Sequence, residues 1–278
     1  MTQQDRPLIM FTNDDGVRSP GLWAVVRAFV GLGDLLVVAP YEQQSGMGRS
    51  MPVASTGKLH EYEVPSDIPD CVAYGIDGTP AQTVQHGILE LADRKPALCV
   101  SGINYGDNTG NGVTISGTVG AALEAASLSV RSIAVSQQTP FDLHLSYSDE
   151  VDFSAAANIT RYFGEGLIGR KALPDDVDVL KIDVPWQATL DTEWRITRVS
   201  RNRVYWPTRP ERITGDVNGG KLGYHYNADP SKAEPNSDVY VLMHEGKISV
   251  TPMSLDMTAR TDFYRLEQIL RGEVTYGK

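Results

Sequence analysis

The chain has 278 residues, 41% of them apolar and 22% charged, and a formal net charge of −10. That length fits one large α/β domain or one core with an appendage, and the composition excludes a collagen-like or disordered chain. The acidic balance argues against a general nucleic-acid binder, which carries a basic face. A phosphate ester would have to meet positive potential supplied locally, by a metal or by helix N-termini.

The first half alternates strand and helix patterns. "PLIMFT" is a short apolar run that ends in "NDDGVRSPG". In "PGLWAVVRAFVGLG", Leu22, Val25, Val26 and Phe29 recur at helical spacing, with Pro20 near the start and Gly31 near the end. "LLVVAP" is a second buried strand. A Gly/Ser/Met loop and a polar alternating stretch follow. "GTPAQTVQHGILELA" then reads as a helix, with Thr79 as N-cap and Pro80 at the first helical position. "PALCVSGIN", "GTVGAALEAASLSV" and "SIAVSQQ" continue as strand, small-residue helix and strand. Strands that are apolar throughout predict an α/β fold, a mostly parallel sheet with helices on both faces.

Beyond about residue 150 the pattern loosens. "DFSAAANITRYFGEGLIG" reads as a helix and "VDVLKIDVP" as a strand. "WRITRVS" and "DVYVLMH" read as short strands between turns rich in Pro, Gly and Asn. "KISVTPMSLDM" is extended, and "ARTDFYRLEQILRG" is a terminal amphipathic helix. A single domain over 7–278 is expected, with a core to about 190 and a β-rich arm and tail over 191–278.

The two cysteines, Cys71 and Cys99, lack zinc-site spacing, and a structural disulfide is not expected. The N-terminal residues lack a basic segment followed by a long apolar one. No stretch reaches the roughly 18 apolar residues of a membrane span. A cytoplasmic protein is therefore expected.

In an open α/β sheet, ligands sit beyond the carboxyl ends of the strands. Three loops there carry oxygen donors. Asn13, Asp14 and Asp15 follow the first strand. Ser45 and Gly46 lie in "PYEQQSGMGRSM" after the second. Asn104 opens "SGINYGDNTGNGVTISGTVG" after the strand containing Cys99. Each loop alone is readily a solvated turn. Together, two carboxylates, a hydroxyl and an amide carbonyl suit a hard cation such as Mg²⁺ or Mn²⁺. The cation would also offset the repulsion between Asp14 and Asp15. Ser116, Gly117 and Thr118 stand at the mouth of the small-residue helix, where free amides and the helix dipole favour an anion. A simple N-cap remains the other reading. No P-loop, no G-x-S-x-G and no H-E-x-x-H occurs, and the five histidines are dispersed.

"TNDDGVRSPG", "VVAPYEQQSGMG", "SGINYGDNTGNGVTISGTVGAALEA" and "SVTPMSLDMT", with "GIDGTPAQTV" and "LKIDVP", resemble the SurE family of survival-protein nucleotidases in order and spacing. The resemblance runs from about Leu8 to Thr258. It implies a Rossmann-like core and a metal-dependent phosphomonoesterase, a 5′/3′-nucleotidase acting on nucleoside monophosphates. It implies one Mg²⁺ or Mn²⁺ per subunit on Asp14, Asp15, Ser45 and Asn104, with Asp14 or Asp15 also a candidate nucleophile or base. Asn108 and the Ser116–Gly117–Thr118 turn match the family's phosphate-side loop, and Asn13 and Gly46 are further substrate-binding candidates. It implies a homodimer or homotetramer built through C-terminal segments, with about 194–258 as the exchanged region. No nucleic-acid duplex and no membrane are expected as partners. Gly112 and Ile115 depart from an Asp-Val-x-Tyr pattern common in the family, which bears on the pocket wall. A non-catalytic nucleotide-binding protein of the same fold is the competing expectation. A phospho-accepting receiver domain shares the acidic pair but lacks the Ser45 and Ser116 loops.

Overall fold

The computed structural model describes residues 6–273, except 141, 142, 145, 146, 149, 170–172, 212–219, 221 and 228. In chain order the elements are β1 (Leu8–Thr12), α1 (Pro20–Ala28), β2 (Asp34–Pro40), β3 (Leu59–Glu61), β4 (Cys71–Ile76), α2 (Pro80–His86), β5 (Leu98–Tyr105), α3 (Gly117–Ser127), β6 (Ser132–Gln137), α4 (Ser154–Gly169), β7 (Val179–Val184), β8 (Trp194–Ile196), β9 (Tyr205–Thr208), β10 (Gly223–Tyr226), α5 (Asp238–Met243), β11 (Ile248–Met253) and α6 (Phe263–Leu270).

Among the described residues, nine strands form one sheet in the order β3-β4-β2-β1-β5-β6-β7-β11-β8. The interior pairs from β4 to β7 are parallel, while β3 against β4 and β11 against β7 are antiparallel. From β1 the chain winds to β2 and β4 on one side, then crosses to β5, β6 and β7 on the other. The reversal falls between β1 and β5, where a doubly wound sheet opens its crevice.

Alternation along β1 divides the core. Ile9 and Phe11 face the larger cluster, with Leu22, Val25 and Val26 of α1 and Ala156 and Ala157 of α4. Leu8 and Met10 face the other side, with Val84 of α2 and Ala121 and Ala125 of α3. Both sheet faces are thus covered, which is why the central strands carry apolar residues at every position. Thr79 caps α2 by accepting a bond from the Gln82 amide, and the Gln82 side chain accepts one from the Thr79 amide, a reciprocal cap.

Three stretches differ from expectation. β4 arises from "CVAYGI" inside what reads as polar alternating sequence; it joins the parallel sheet beside β2. "DVYVLMH", expected as a strand, is the helix α5. Ser237 caps it by accepting from the Tyr240 amide, and Val239, Val241 and Leu242 are buried. Six residues are too few for hydrophobic periodicity to separate helix from strand. The late β-rich region also divides: β8 and β11 lie in the main sheet, while β9 and β10 form a separate antiparallel ribbon. Cys71 and Cys99 are free thiols, both pushed up to about 12 by burial. Among the described residues no helix is long and apolar enough to cross a membrane.

Close helix–sheet packing at the crevice needs Gly21. A Cβ there would lie 2.3 Å from the carbonyl oxygen of Ile103. Because the obstacle is backbone, α1 would have to move. Gly21→Ala is expected to cost about 3 kcal/mol, the upper end of the overpacking range, in urea denaturation. Wild-type stability in this variant would show that α1 does not seat on β5 as described.

Candidate active site

The chain leaves β1 into a tight loop that Asn13 builds. Its side-chain oxygen accepts from the Gly16 amide and its side-chain nitrogen donates to the Gly16 carbonyl, both at 3.0 Å. Asn13 is fully buried by this arrangement. The loop presents Asp14 and Asp15 at the crevice, only 5% and 3% exposed.

Each carboxylate is held by donors from another element. Thr118 Oγ1 donates to Asp14 Oδ1. The backbone amides of Gly117 and Thr118, at the start of α3, also face that carboxylate. A Cβ on Gly117 would stand 2.7 Å from Asp14 Cβ, so the helix end approaches this closely only because residue 117 is glycine. Asp15 Oδ1 accepts from Gln43 Nε2 at 3.1 Å, and its Oδ2 from the Tyr105 amide at 3.3 Å. Tyr147 donates to the Asp15 carbonyl at 2.9 Å. Burial raises the Asp14 carboxyl above its ordinary range. Burial, and then the neighbouring Asp14 charge, raise Asp15 well above it.

Asn104 is the penultimate residue of β5 and follows a register shift against β6 between Ser101 and Asn104. Such an irregularity turns a side chain out of the ladder. Its Nδ2 donates to the Gly106 carbonyl at 2.6 Å, leaving the amide oxygen as the donor atom for a cation. The Ser45 loop is pinned to the turn that leads into α3: the Gly48 amide donates to the Ile115 carbonyl at 3.0 Å. Arg49 Nε, nearby, meets Glu124 at 2.6 Å. Gln85 of α2 holds the other Glu124 oxygen at 2.8 Å.

Asp14, Asp15, Ser45, Gly46, Asn104, Asn108 and Ser116 all line one cavity of about 620 Å³. Asn13, Gly117 and Thr118 do not. Asn13 lies beneath the loop, and Gly117 and Thr118 turn toward Asp14 rather than the open space. Ser116 caps α3 by accepting from the Val119 amide at 3.1 Å, a bond that does not use its hydroxyl hydrogen. Asn108 Nδ2 donates to Ser136 Oγ at 2.8 Å.

The donor set fits a hard divalent cation. Among the described residues no Lys, Arg or His pairs with Asp14 or Asp15, so two buried carboxyl groups face the cavity beside an amide oxygen and a hydroxyl. Among the described residues no cluster of three or more His, Cys, Asp or Glu is arranged for a metal, since only two of these four donors are carboxylates.

A second polar group lies behind the cavity. Lys181, on β7 and 0% exposed, pairs with Asp183 and, at 3.1 Å, with Asp238 of α5. Burial alone would depress this ammonium; Asp183 and Asp238 outweigh burial and hold it above its usual value. The two carboxylates in turn position backbone. Asp183 accepts from the Asn108 amide at 2.8 Å, and Asp238 from the amides of Gly110 at 3.2 Å and Ser200 at 2.8 Å. Residues 108–110 are therefore anchored by a buried ion cluster. "LKIDVP" carries its signal, because residues two apart on a strand share a face, and a Lys and an Asp on one face of a buried strand must satisfy each other. His144, Arg203, Tyr205 and Tyr224 also line the cavity and carry no local sequence signal.

A doubly wound α/β protein with an acidic, oxygen-rich cleft at its strand-order reversal is the class that fold and site define. The family model described as "Survival protein SurE" matches residues 9–205. A protein of Thermococcus gammatolerans named 5′-nucleotidase SurE is 42% identical over 265 residues, covering 95% of this chain and 96% of that one. Its namesake in Thermococcus kodakarensis is 40% identical over 262 residues, covering 94% and 98%. The crystal structure of a SurE protein from Aquifex aeolicus superposes with a TM-score of 0.72 at 29% identity, covering 96% of this chain and all of that one. The chain belongs to the SurE family.

Lys181→Met leaves two carboxylates buried around an apolar group. It is expected to lower unfolding free energy by about 3–5 kcal/mol in urea denaturation. Combining it with Asp183→Asn should recover part of the loss. A single variant within about 1 kcal/mol of wild type would mean that the cluster is not buried as described.

Proposed function

We propose that this chain is a metal-dependent phosphomonoesterase that hydrolyses nucleoside 5′- and 3′-monophosphates to nucleoside and phosphate. One observation carries the reading: two buried carboxylates, with no cationic side chain paired to them among the described residues, share a cavity with an amide oxygen and a hydroxyl at the sheet's crevice. Relatives named 5′-nucleotidase across nearly the full length support it.

Asp14, Asp15, Ser45 and Asn104 would hold one Mg²⁺ or Mn²⁺. When bound, that ion supplies Lewis-acid polarisation of a phosphate oxygen and lowers the pKa of water. The remaining roles belong to the chain's own groups. Ser116, through its hydroxyl hydrogen, and Asn108, through its remaining amide hydrogen, can donate to phosphate oxygens. The Gly117 and Thr118 amides, with the Thr118 hydroxyl, keep Asp14 in place. Gln43 and the Tyr105 amide do the same for Asp15.

Phosphate release is expected from a panel of nucleoside 5′- and 3′-monophosphates with Mn²⁺ or Mg²⁺, and is expected to vanish in EDTA. Asp14→Asn should lower kcat/KM by more than about 100-fold, beyond the loss usual for removing a residue that only supports a ligand. Activity indifferent to EDTA, or full activity in that variant, would overturn the metal reading. Tight binding of AMP with no release would favour the non-catalytic alternative.

We also infer self-association through the C-terminal segment. Among the described residues none of the α6 side chains is buried: Phe263, Tyr264, Leu266 and Leu270 are all exposed. A second copy would cover that face. The truncation that tests this must spare β11, which lies between β7 and β8 in the main sheet. A chain ending at Thr258 is expected to show a lower mass in solution than the full chain. Unchanged mass would rule out α6 as the contact.

A further inference from the structure

Three neighbouring strands set polar residues side by side behind the cavity. Ser136 of β6 is in register with Asn104 of β5 on one side and with Asp183 of β7 on the other. Residues paired in register share a face of the sheet. Ser136 lies two positions beyond Ala134, which packs with Val119 and Ala122 of α3, so the row lies on the α3 side. Asn104 offers an oxygen to a cation, and Asp183 belongs to the Lys181 cluster. Ser136 stands between them, fully buried.

We propose that Ser136 is a positioning residue: with Asp183 beside it, it fixes the side-chain amide of Asn108 so that one N–H is kept for a phosphate oxygen. The proposal rests on the phosphomonoesterase reading above for the ligand, and adds a residue that acts on it only through Asn108.

Adjacent strands hold Asn108 at two atoms. Its backbone amide donates to Asp183 Oδ1 and its Nδ2 to Ser136 Oγ, each at 2.8 Å. The first bond fixes where the side chain starts and the second where it ends. The amide nitrogen carries two hydrogens. Ser136 takes one, and the other remains for a ligand in the cavity that Asn108 lines together with Asp14, Asp15 and Asn104. A donor fixed in advance needs no reorganisation as charge shifts in the reaction, and it loses less entropy when the ligand binds.

The chemistry of β6 agrees with this role. Ile133, Ala134 and Val135 are fully buried and apolar. A hydroxyl added to such a run costs free energy unless it is hydrogen-bonded, and its partner here is Asn108. Alanine would meet the packing needs of the position without that demand, so the hydroxyl serves Asn108 rather than the core. Register supplies the rest. Asn104 and Ser136 sit on paired strands, about 4.8 Å apart. Strand pairing thus fixes the anchor of the Asn108 amide relative to the Asn104 position.

The test uses the full-length chain and Ser136→Ala, which removes one oxygen and leaves the strand backbone as it is. In the free protein, the Asn108 side-chain protons are identified in a ¹H–¹⁵N spectrum by their absence from Asn108→Ala. One of them is expected to be protected from solvent exchange. In Ser136→Ala that protection should fall about tenfold, the upper end of what one hydrogen bond contributes. Wild type with neither proton protected would overturn the proposal without any variant, as would protection unchanged in Ser136→Ala. With AMP and Mn²⁺, Ser136→Ala is expected to lower kcat/KM about tenfold, as the loss of a supporting partner does. Adding Ser136→Ala to Asn108→Ala should lower it no further, because residues that act as one unit are not additive. Fully additive losses, or weaker Mn²⁺ binding by Ser136→Ala in calorimetry without nucleotide, would show that Ser136 acts elsewhere and overturn the proposal. A Ser136-dependent Asn108 amide in a chain that releases no phosphate would support the positioning and overturn only the phosphomonoesterase reading.

Discussion

Two adjacent carboxylates buried at the end of β1 constrain the rest of this molecule. An ionised group moved out of water loses several kcal/mol of solvation unless donors or a counter-ion replace it. Here the replacement comes from three directions. The start of α3 faces Asp14 with two amides and a hydroxyl. The β2 loop contributes Gln43 to Asp15, and β5 contributes the Tyr105 amide. None of these donors is near residues 14 and 15 in the chain. The loops must converge for the pair to be tolerated, and once they converge they bring Ser45 and Asn104 to the same cavity. The demand for solvation and the assembly of the cleft are one requirement.

The donors around Asp14 and Asp15 are all neutral. They reduce the cost of burial without cancelling the charge, and both carboxyls stay above their ordinary range. The cluster behind the cavity takes the opposite course. Lys181 stands between Asp183 and Asp238, so a buried cation offsets the carboxylates there, and backbone amides of residues 108, 110 and 200 donate to them as well. One buried ionic group is closed and fixes backbone. The other is open toward a cavity, as a binding site has to be.

The ribbon adds a third layer. β9 and β10 lie outside the main sheet, yet Tyr205 reaches Asp107 and so connects the ribbon to the loop fixed by the Lys181 cluster. The two walls of the cavity are therefore joined through one loop, 107–110. α5, whose Asp238 completes the cluster, belongs with Val204 and Val239 to the satellite core under the ribbon.

The sequence by itself determined the winding of the core, because apolar runs alternating with amphipathic helices have only one good way to bury both sheet faces. It also determined Thr79 as the N-cap of α2 and the position of Asp14, Asp15, Ser45 and Asn104 at or beyond strand ends, where order in the chain fixes which edge each loop occupies. It could not determine α5, whose six residues satisfy two periodicities and whose helical state is decided by the Ser237 cap and by burial against the satellite core. It could not find β4, whose partner β2 lies over 30 residues earlier. Nor could it see that Gly117 and Thr118 serve Asp14, that Asn13 is enclosed beneath its own loop, or that Arg203, Tyr205 and Tyr224 line the same cavity as residues 14 and 15. Those facts depend on which groups meet across long separations in the chain. A local pattern records where a side chain starts, and only the tertiary structure decides which groups lie opposite it.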